Sequence, residues 1–192
     1  MKFKNKTCLL ILTVIMAFSC AYADNASDGR VEFLGEYNDV SLGSDGEHCG
    51  GYNIMVWKYQ ETLIGFLNFY AGQCSDPPMG AMEEVSYSAQ TGSLSFKAKL
   101  SVGCSSDGAA GECAPSKDII EFKGSLREET LEGAVKWYKW YSEGMKPSYS
   151  EENVALAKEN ESLPSYGYET YADWEKYWKP ILKARGTDKA DG

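Results

Sequence analysis

A seven-residue stretch occurs twice in this chain. Glu61-Thr62-Leu63-Ile64-Gly65-Phe66-Leu67 returns as Glu129-Thr130-Leu131-Glu132-Gly133-Ala134-Val135. Each copy leads from a polar pair into a run patterned with period two, which reads as antiparallel β structure. The region Tyr52–Val102 holds two such hairpin units, Tyr52–Ala71 and Met82–Val102. A stretch with Leu63, Gly65, Leu67 and Phe69 on one face and Ile64, Phe66 and Tyr70 on the other must be covered on both sides, which marks it as scaffold.

The remaining strands follow the same logic. Val31–Tyr37 alternates Val31, Phe33, Gly35 and Tyr37 with Glu32, Leu34 and Glu36. Asn38–Gly51 is rich in turn formers and reads as a loop, as does Gln73–Gly80, whose Pro77-Pro78 cannot join a central strand. The second hairpin turns at Gln90-Thr91-Gly92, where glycine can supply a positive φ. On its returning strand Leu94, Phe96, Ala98 and Leu100 face a core. After a loop from Cys104 to Pro115, Ile119–Leu126 pairs with Leu131–Tyr138, with Ile120, Phe122, Gly124 and Leu126 inward. The sum is a mainly β fold, an antiparallel up-and-down barrel or sandwich of about seven or eight strands, with a helical segment at the C-terminus.

Glycines recur one residue from a large side chain at Gly35-Glu36-Tyr37, Gly65-Phe66-Leu67, Gly124-Ser125-Leu126 and Gly133-Ala134-Val135. Interior strand glycines mark bends or close backbone approaches, both needed in a small barrel. The spacing resembles that of lipocalin- and avidin-type barrels, a calycin-like likeness at the level of fold over Val31–Tyr141. Their first strand opens with Gly-x-Trp; here Tyr37 holds the aromatic position.

The N-terminus carries Lys2, Lys4 and Lys6, then an apolar run from Cys8 to Phe18, then Ala21-Tyr22-Ala23. That is the pattern of a secretory signal over residues 1–23, cleaved after Ala23. Its apolar run falls short of the roughly 20 residues a membrane span needs, so no integral span is expected. Lipidation at Cys20 is the rival reading. The 169 residues left after cleavage suit one core, with a β domain over 24–145 and a helical, aromatic-rich tail over 146–192 packed on it. They hold 16 basic and 28 acidic side chains, a net charge of −12, which disfavours nucleic acid and anionic lipid. The expected location is the bacterial periplasm or exterior.

Ser148 with Glu151 three residues on reads as a capping box for a helix through Asn160. Thr170 caps a second helix whose Trp174, Tyr177, Trp178, Ile181 and Leu182 form one stripe, for packing on the barrel wall or across a mouth. Pro180 should kink or split it.

No motif specifies a reaction. His48 is the sole histidine, there is no nucleophile elbow, and no glycine motif cradles phosphate. The adjacent pairs Glu83-Glu84 and Glu128-Glu129 read as solvated charge, since strand neighbours point to opposite faces and the second pair lies at a turn. Asp39, Asp45 and Glu47 share a loop that could take calcium but lack EF-hand spacing, so no metal, cofactor or catalytic residue is assigned. The suggestive feature is aromatic density. Candidate ligand contacts are Trp57, Tyr70, Trp137, Trp140 and Trp174. The expectation is a non-enzymatic binding protein, its partner a small hydrophobic or glycan ligand in the barrel mouth or a protein met by its loops. An inhibitor or immunity-type protein blocking a basic envelope enzyme is the alternative, and a carboxylate-based hydrolase a third.

Four cysteines, Cys49, Cys74, Cys104 and Cys113, remain after cleavage, an even number that argues for two disulfides. A hairpin turn centred between Glu61 and Thr62 sets residue i opposite 123 − i, which puts Cys49 opposite Cys74 and leaves Cys104 to Cys113. Each bridge would stabilise the fold by roughly 3 kcal/mol. Reduction should therefore lower the calorimetric melting temperature clearly; an unchanged midpoint would rule the bridges out.

Overall fold

A computed structural model describes residues 29–75, 77–100, 118–139, 148–159 and 167–187, the last seven of these as backbone only. Nine strands form one sheet: β1 Glu32–Asn38, β2 Ser41–Leu42, β3 His48–Tyr59, β4 Thr62–Gln73, β5 Met79–Tyr87, β6 Ser93–Lys99, β7 Ile119–Leu126, β8 Thr130–Lys139 and β9 Ser148–Lys158. From β3 to β9 each pairs antiparallel with the next, and β1 pairs with both β3 and β9. The result is a closed eight-stranded up-and-down barrel with β2 as an extra edge strand on β3. One helix follows, α1 Tyr171–Thr187. It is not long and apolar enough to cross a membrane.

The hairpin β3–β4 shows why the duplicated stretch carries glycine. A Cβ on Gly65 would collide with the Met55 carbonyl, and one on Gly133 would lie 2.5 Å from the Lys123 carbonyl oxygen. Gly133 sits opposite Gly124, where a Cβ would strike the Glu132 carbonyl. The paired backbones close to a separation that a side chain would forbid, and the barrel curves there.

Register corrects one expectation. Residue i of β3 lies opposite 121 − i, from His48 opposite Gln73 to Tyr59 opposite Thr62. The turn is the two residues Gln60-Glu61, with Gln60 at φ 54°. A positive φ at the first position of a two-residue hairpin turn favours Gly there, so Gln-Glu carries no local signal for it. Cys49 therefore faces Gly72, and Cys74 lies one turn of the pleat beyond. The two are nevertheless bridged, with Cα atoms 4.9 Å apart. Cys104 and Cys113 lie outside the described residues.

The second correction is β9. Where the Ser148/Glu151 pattern predicts a helix, Ser148–Lys158 forms a strand paired along its length with β8, from Lys139 opposite Ser148 to Thr130 opposite Ala157. Val154 and Leu156 point inward. Local propensity in Val-Ala-Leu-Ala yields to the requirement that β8 and β1 each find a partner. In β1 a bulge between Phe33 and Gly35 breaks the simple alternation: Phe33 lies outside the barrel, while Leu34 and Tyr37 lie inside.

Two apolar clusters result. The barrel interior is filled by Tyr37, Tyr52, Leu67, Phe96, Phe122, Leu131 and their neighbours. Outside, Met55, Trp57, Ile64, Phe66, Met79 and Ala81 of β3–β5 are covered by Trp174 and Trp178 of α1. The helix packs on the barrel wall, one of the two placements its stripe predicts. Thr170 Oγ1 accepts from the Asp173 amide at 3.2 Å, and the Asp173 carboxylate accepts in return from the Thr170 amide and hydroxyl. The helix is not split at Pro180 but runs on to Thr187. The indole Nε1 atoms of Trp174 and Trp178 are buried with no hydrogen-bond partner among the described residues.

Gly133→Ala should lower the unfolding free energy by about 1–3 kcal/mol in urea denaturation, because neither facing strand can move away. Gly50→Ala, where a Cβ meets open space, should leave the midpoint nearly unchanged.

Candidate functional site

Strand directions gather the long connections at one end of the barrel. There β3, β7 and β9 begin and β4, β6 and β8 end, so residues 39–47, 74–78, 100–118 and 140–147 join strands at that end. The opposite end carries the tight turns 60–61, 88–92 and 127–129. The expected turn at Gln90-Thr91-Gly92 is present, with Gly92 at φ 70°.

Aromatic residues and carboxylates meet where the barrel opens onto the long connections. Tyr52 stacks on Phe69 with centroids 5.2 Å apart, and Phe69 meets Trp137 edge-on at 4.8 Å. The Trp137 indole N–H donates to Asp118 Oδ2 at 2.9 Å, and the Asp118 carbonyl accepts from the Leu100 amide at 2.9 Å. Across the mouth the Tyr52 hydroxyl donates to Glu152 Oε1 at 2.6 Å. Lys139 Nζ lies 5.6 Å from the centre of the Trp137 ring. Strand alternation separates Trp137, which turns in, from Tyr138, whose hydroxyl donates outward to Glu121 Oε2 at 3.0 Å.

The first connection, 39–47, is braced from within. Asp39 Oδ1 accepts the Tyr52 amide at 2.7 Å, and Gly43 N–H donates to the His48 carbonyl at 2.7 Å. Asp45 Oδ1 accepts the amides of Glu47 and His48, each at 3.0 Å, while its Oδ2 lies 2.6 Å from His48 Nδ1. These two backbone donors, then the imidazole, hold the Asp45 carboxyl far below the usual carboxylate range. The Cys49–Cys74 bridge closes the base of this arm, where the Cys74 amide also donates to the Glu47 carbonyl at 3.3 Å. Among the described residues no three His, Cys, Asp or Glu side chains gather as a metal site would require, and Asp39 and Asp45 are engaged by their own loop.

The opposite wall differs in kind. On the outer face of β5–β9, Lys97, Glu121, Lys136 and Glu151 lie side by side across strands. Lys97 reaches Glu84 at 3.1 Å and Glu121 at 3.7 Å, and Lys136 reaches Glu151 at 3.4 Å. A depression of about 490 Å³ lies among these side chains over Ser95 and Ala134. Glu83 and Glu84 do not point to opposite faces as alternation predicts. A bulge follows Glu83, with Glu84 at φ 52°, and both reach outward lysines, Glu83 to Lys99 at 3.1 Å.

The structure separates the five aromatic residues singled out by composition. Trp57 and Trp174 join the cluster under α1, only 1 % and 6 % exposed. Tyr70 lies on the outer face of β4, its phenol pushed up by burial and then by Glu36. Trp137 alone stands at the mouth, half-buried, and Trp140 lies outside the described residues. Tyr52, Phe69, Asp118 and Glu152 join Trp137 through contacts between strands distant in sequence, which no local pattern announces.

Burial holds the Tyr37 phenol up at about 12, helped by Glu129 and then Tyr87. Tyr52 is pushed higher still, by burial, then by its bond to Glu152. Both keep their protons at a pH where an unfolded tyrosine, with a pKa of about 10, loses its own. The native state then binds more protons than the unfolded one, so stability is full below pH 10 and falls as pH rises beyond it. Absorbance at 295 nm should show at least these two tyrosines silent up to pH 11, with urea midpoints dropping between pH 9 and 11 and Tyr52→Phe dropping less. In comparison with known proteins, the chain matches no family model, no curated protein and no solved structure, so the loop-bearing end rests on its own geometry.

Proposed function

We propose that this is an exported, non-enzymatic binding protein that presents the loops at one end of its barrel to a protein partner. The observation that carries this reading is the filled interior. Tyr37, Tyr52, Phe69, Phe96 and Phe122 are each under 10 % exposed and pack into one core, which favours contacts outside the barrel over the small ligand that aromatic density suggests. Binding then falls to the end of the barrel where the long connections join the strands and Trp137 lies. Aromatic residues with a polar edge supply contact area there at little entropic cost. Support for export comes from the N-terminal pattern over residues 1–23 and from the Cys49–Cys74 bridge.

The brace around Asp45 favours a second reading, an inhibitor that blocks a basic enzyme. Its carboxylate is exposed, stays ionised, and sits on a loop fixed by hydrogen bonds and a disulfide, so presenting it to a cationic cleft would cost little ordering.

The two readings separate in one assay. Tryptophan fluorescence of the protein is titrated with glycans, small hydrophobic molecules, and neutral and basic envelope proteins at 50 and 300 mM salt. The first reading expects saturable binding of a protein, weakened roughly tenfold by Trp137→Phe. The second expects a basic protein whose binding falls with salt and with Asp45→Asn. Silence across the panel, with nothing retained on immobilised protein, would sink both.

A further inference from the structure

The two apolar clusters share no residue. The barrel interior closes on itself without α1, and α1 is held to the outer wall by a separate set of side chains. Trp178 lies 5.5 Å from Phe66, Tyr171 stacks on Tyr59 at 4.3 Å, and Trp174 lies beside both helix neighbours. The sheet beneath is thus a groove fitted to a helix carrying aromatic rings at i, i+3 or i+4, and i+7. Its floor is Met55, Trp57, Ile64, Phe66, Met79 and Ala81.

Three features make the docked state of this helix easy to leave. The indole N–H groups of Trp174 and Trp178 are buried against the wall and meet no acceptor among the described residues. Pro180, inside the helix, removes a backbone donor from the third turn. Among the described residues two backbone ties anchor the helix start: Val31 N–H to the Glu169 carbonyl at 3.1 Å and Tyr171 N–H to the Gly29 carbonyl at 2.7 Å.

We infer that the outer groove of β3–β5 is an exchangeable helix-docking site, filled by α1 of the same chain and able to take α1 from a second copy. The occupant's chemistry is written on the page, because the helix that fits is the one now seated. A second copy offers that helix with all the same contacts, so docking in trans differs from docking in cis only in the concentration of helix each groove meets. For a tethered element that effective concentration is of millimolar order, so strap-exchanged dimers form when the chain approaches it.

Native-state hydrogen exchange on the full chain, followed by size-exclusion chromatography with light scattering over a concentration series, tests this. Amides of α1 should exchange at least roughly tenfold faster than those of Leu63–Phe69, reporting a local opening that spares the barrel. A dimer should grow in as the chain approaches millimolar concentration. Pro180→Ala should slow both the α1 exchange and the approach to dimer by roughly tenfold. Trp178→Ala should abolish the dimer while the Leu63–Phe69 amides stay protected. Exchange of α1 and β4 as one unit, absence of dimer at millimolar chain, or a dimer that survives Trp178→Ala would each overturn the inference.

Discussion

One strand without a polar face sets the architecture. β4 buries Leu63, Leu67 and Phe69 toward the barrel and Ile64 and Phe66 away from it. Each side chain of this size stabilises the fold by roughly 1.5–3 kcal/mol when withdrawn from water, so covering both faces is favoured. Curling the sheet into a barrel covers the inner face. The outer face then requires a second layer, and α1 supplies it. Across the barrel β6–β9 need no such cover, because their outer face carries Lys97, Glu121, Lys136 and Glu151. The helix sits on the only described wall whose outer face is apolar.

Where a strand's pattern is local, sequence alone defines it. Ile119–Leu126 is found with its exact bounds, and the inward set Leu94, Phe96, Ala98 and Leu100 is recovered because each residue follows its neighbour by two. The double covering of β4 was also legible, as was the disulfide partner of Cys49. What escaped depends on partners. A two-residue turn at Gln60-Glu61 shifts the register by two, the bulge after Phe33 swaps which side chains face inward, and β9 becomes a strand because its neighbours lack a partner without it. The mouth cluster escaped for the same reason. Tyr52, Asp118, Trp137 and Glu152 are joined only once four different strands have been placed.

Aromatic abundance in this chain is mainly a packing device. Phe96 stacks on Phe122 at 5.3 Å inside the barrel, while Trp57 touches Phe33, Phe66 and Tyr168 outside it. A small barrel has a narrow interior, and large rings fill it with few residues per strand. Rings packed in this way tie neighbouring strands together inside the barrel. Such a scaffold is a suitable base for loops that bind a protein, since less ordering is required on association.

The distribution of charge bears on where such a partner would land. The whole chain has a formal net charge of −9, yet the wall of β5–β9 presents alternating signs that cancel within an ion-pair distance. At separations near the Debye length of about 8 Å such a wall exerts little field. On the braced loop, by contrast, Asp45 and Glu47 have no lysine or arginine partner among the described residues. The Asp45 carboxylate is held ionised first by two backbone N–H donors and then by the His48 imidazole 2.6 Å from its Oδ2, and it stays exposed on the loop to an approaching molecule. Steering of a cationic partner would therefore favour the loop-bearing end over the charged wall, although the wall holds more ionised groups.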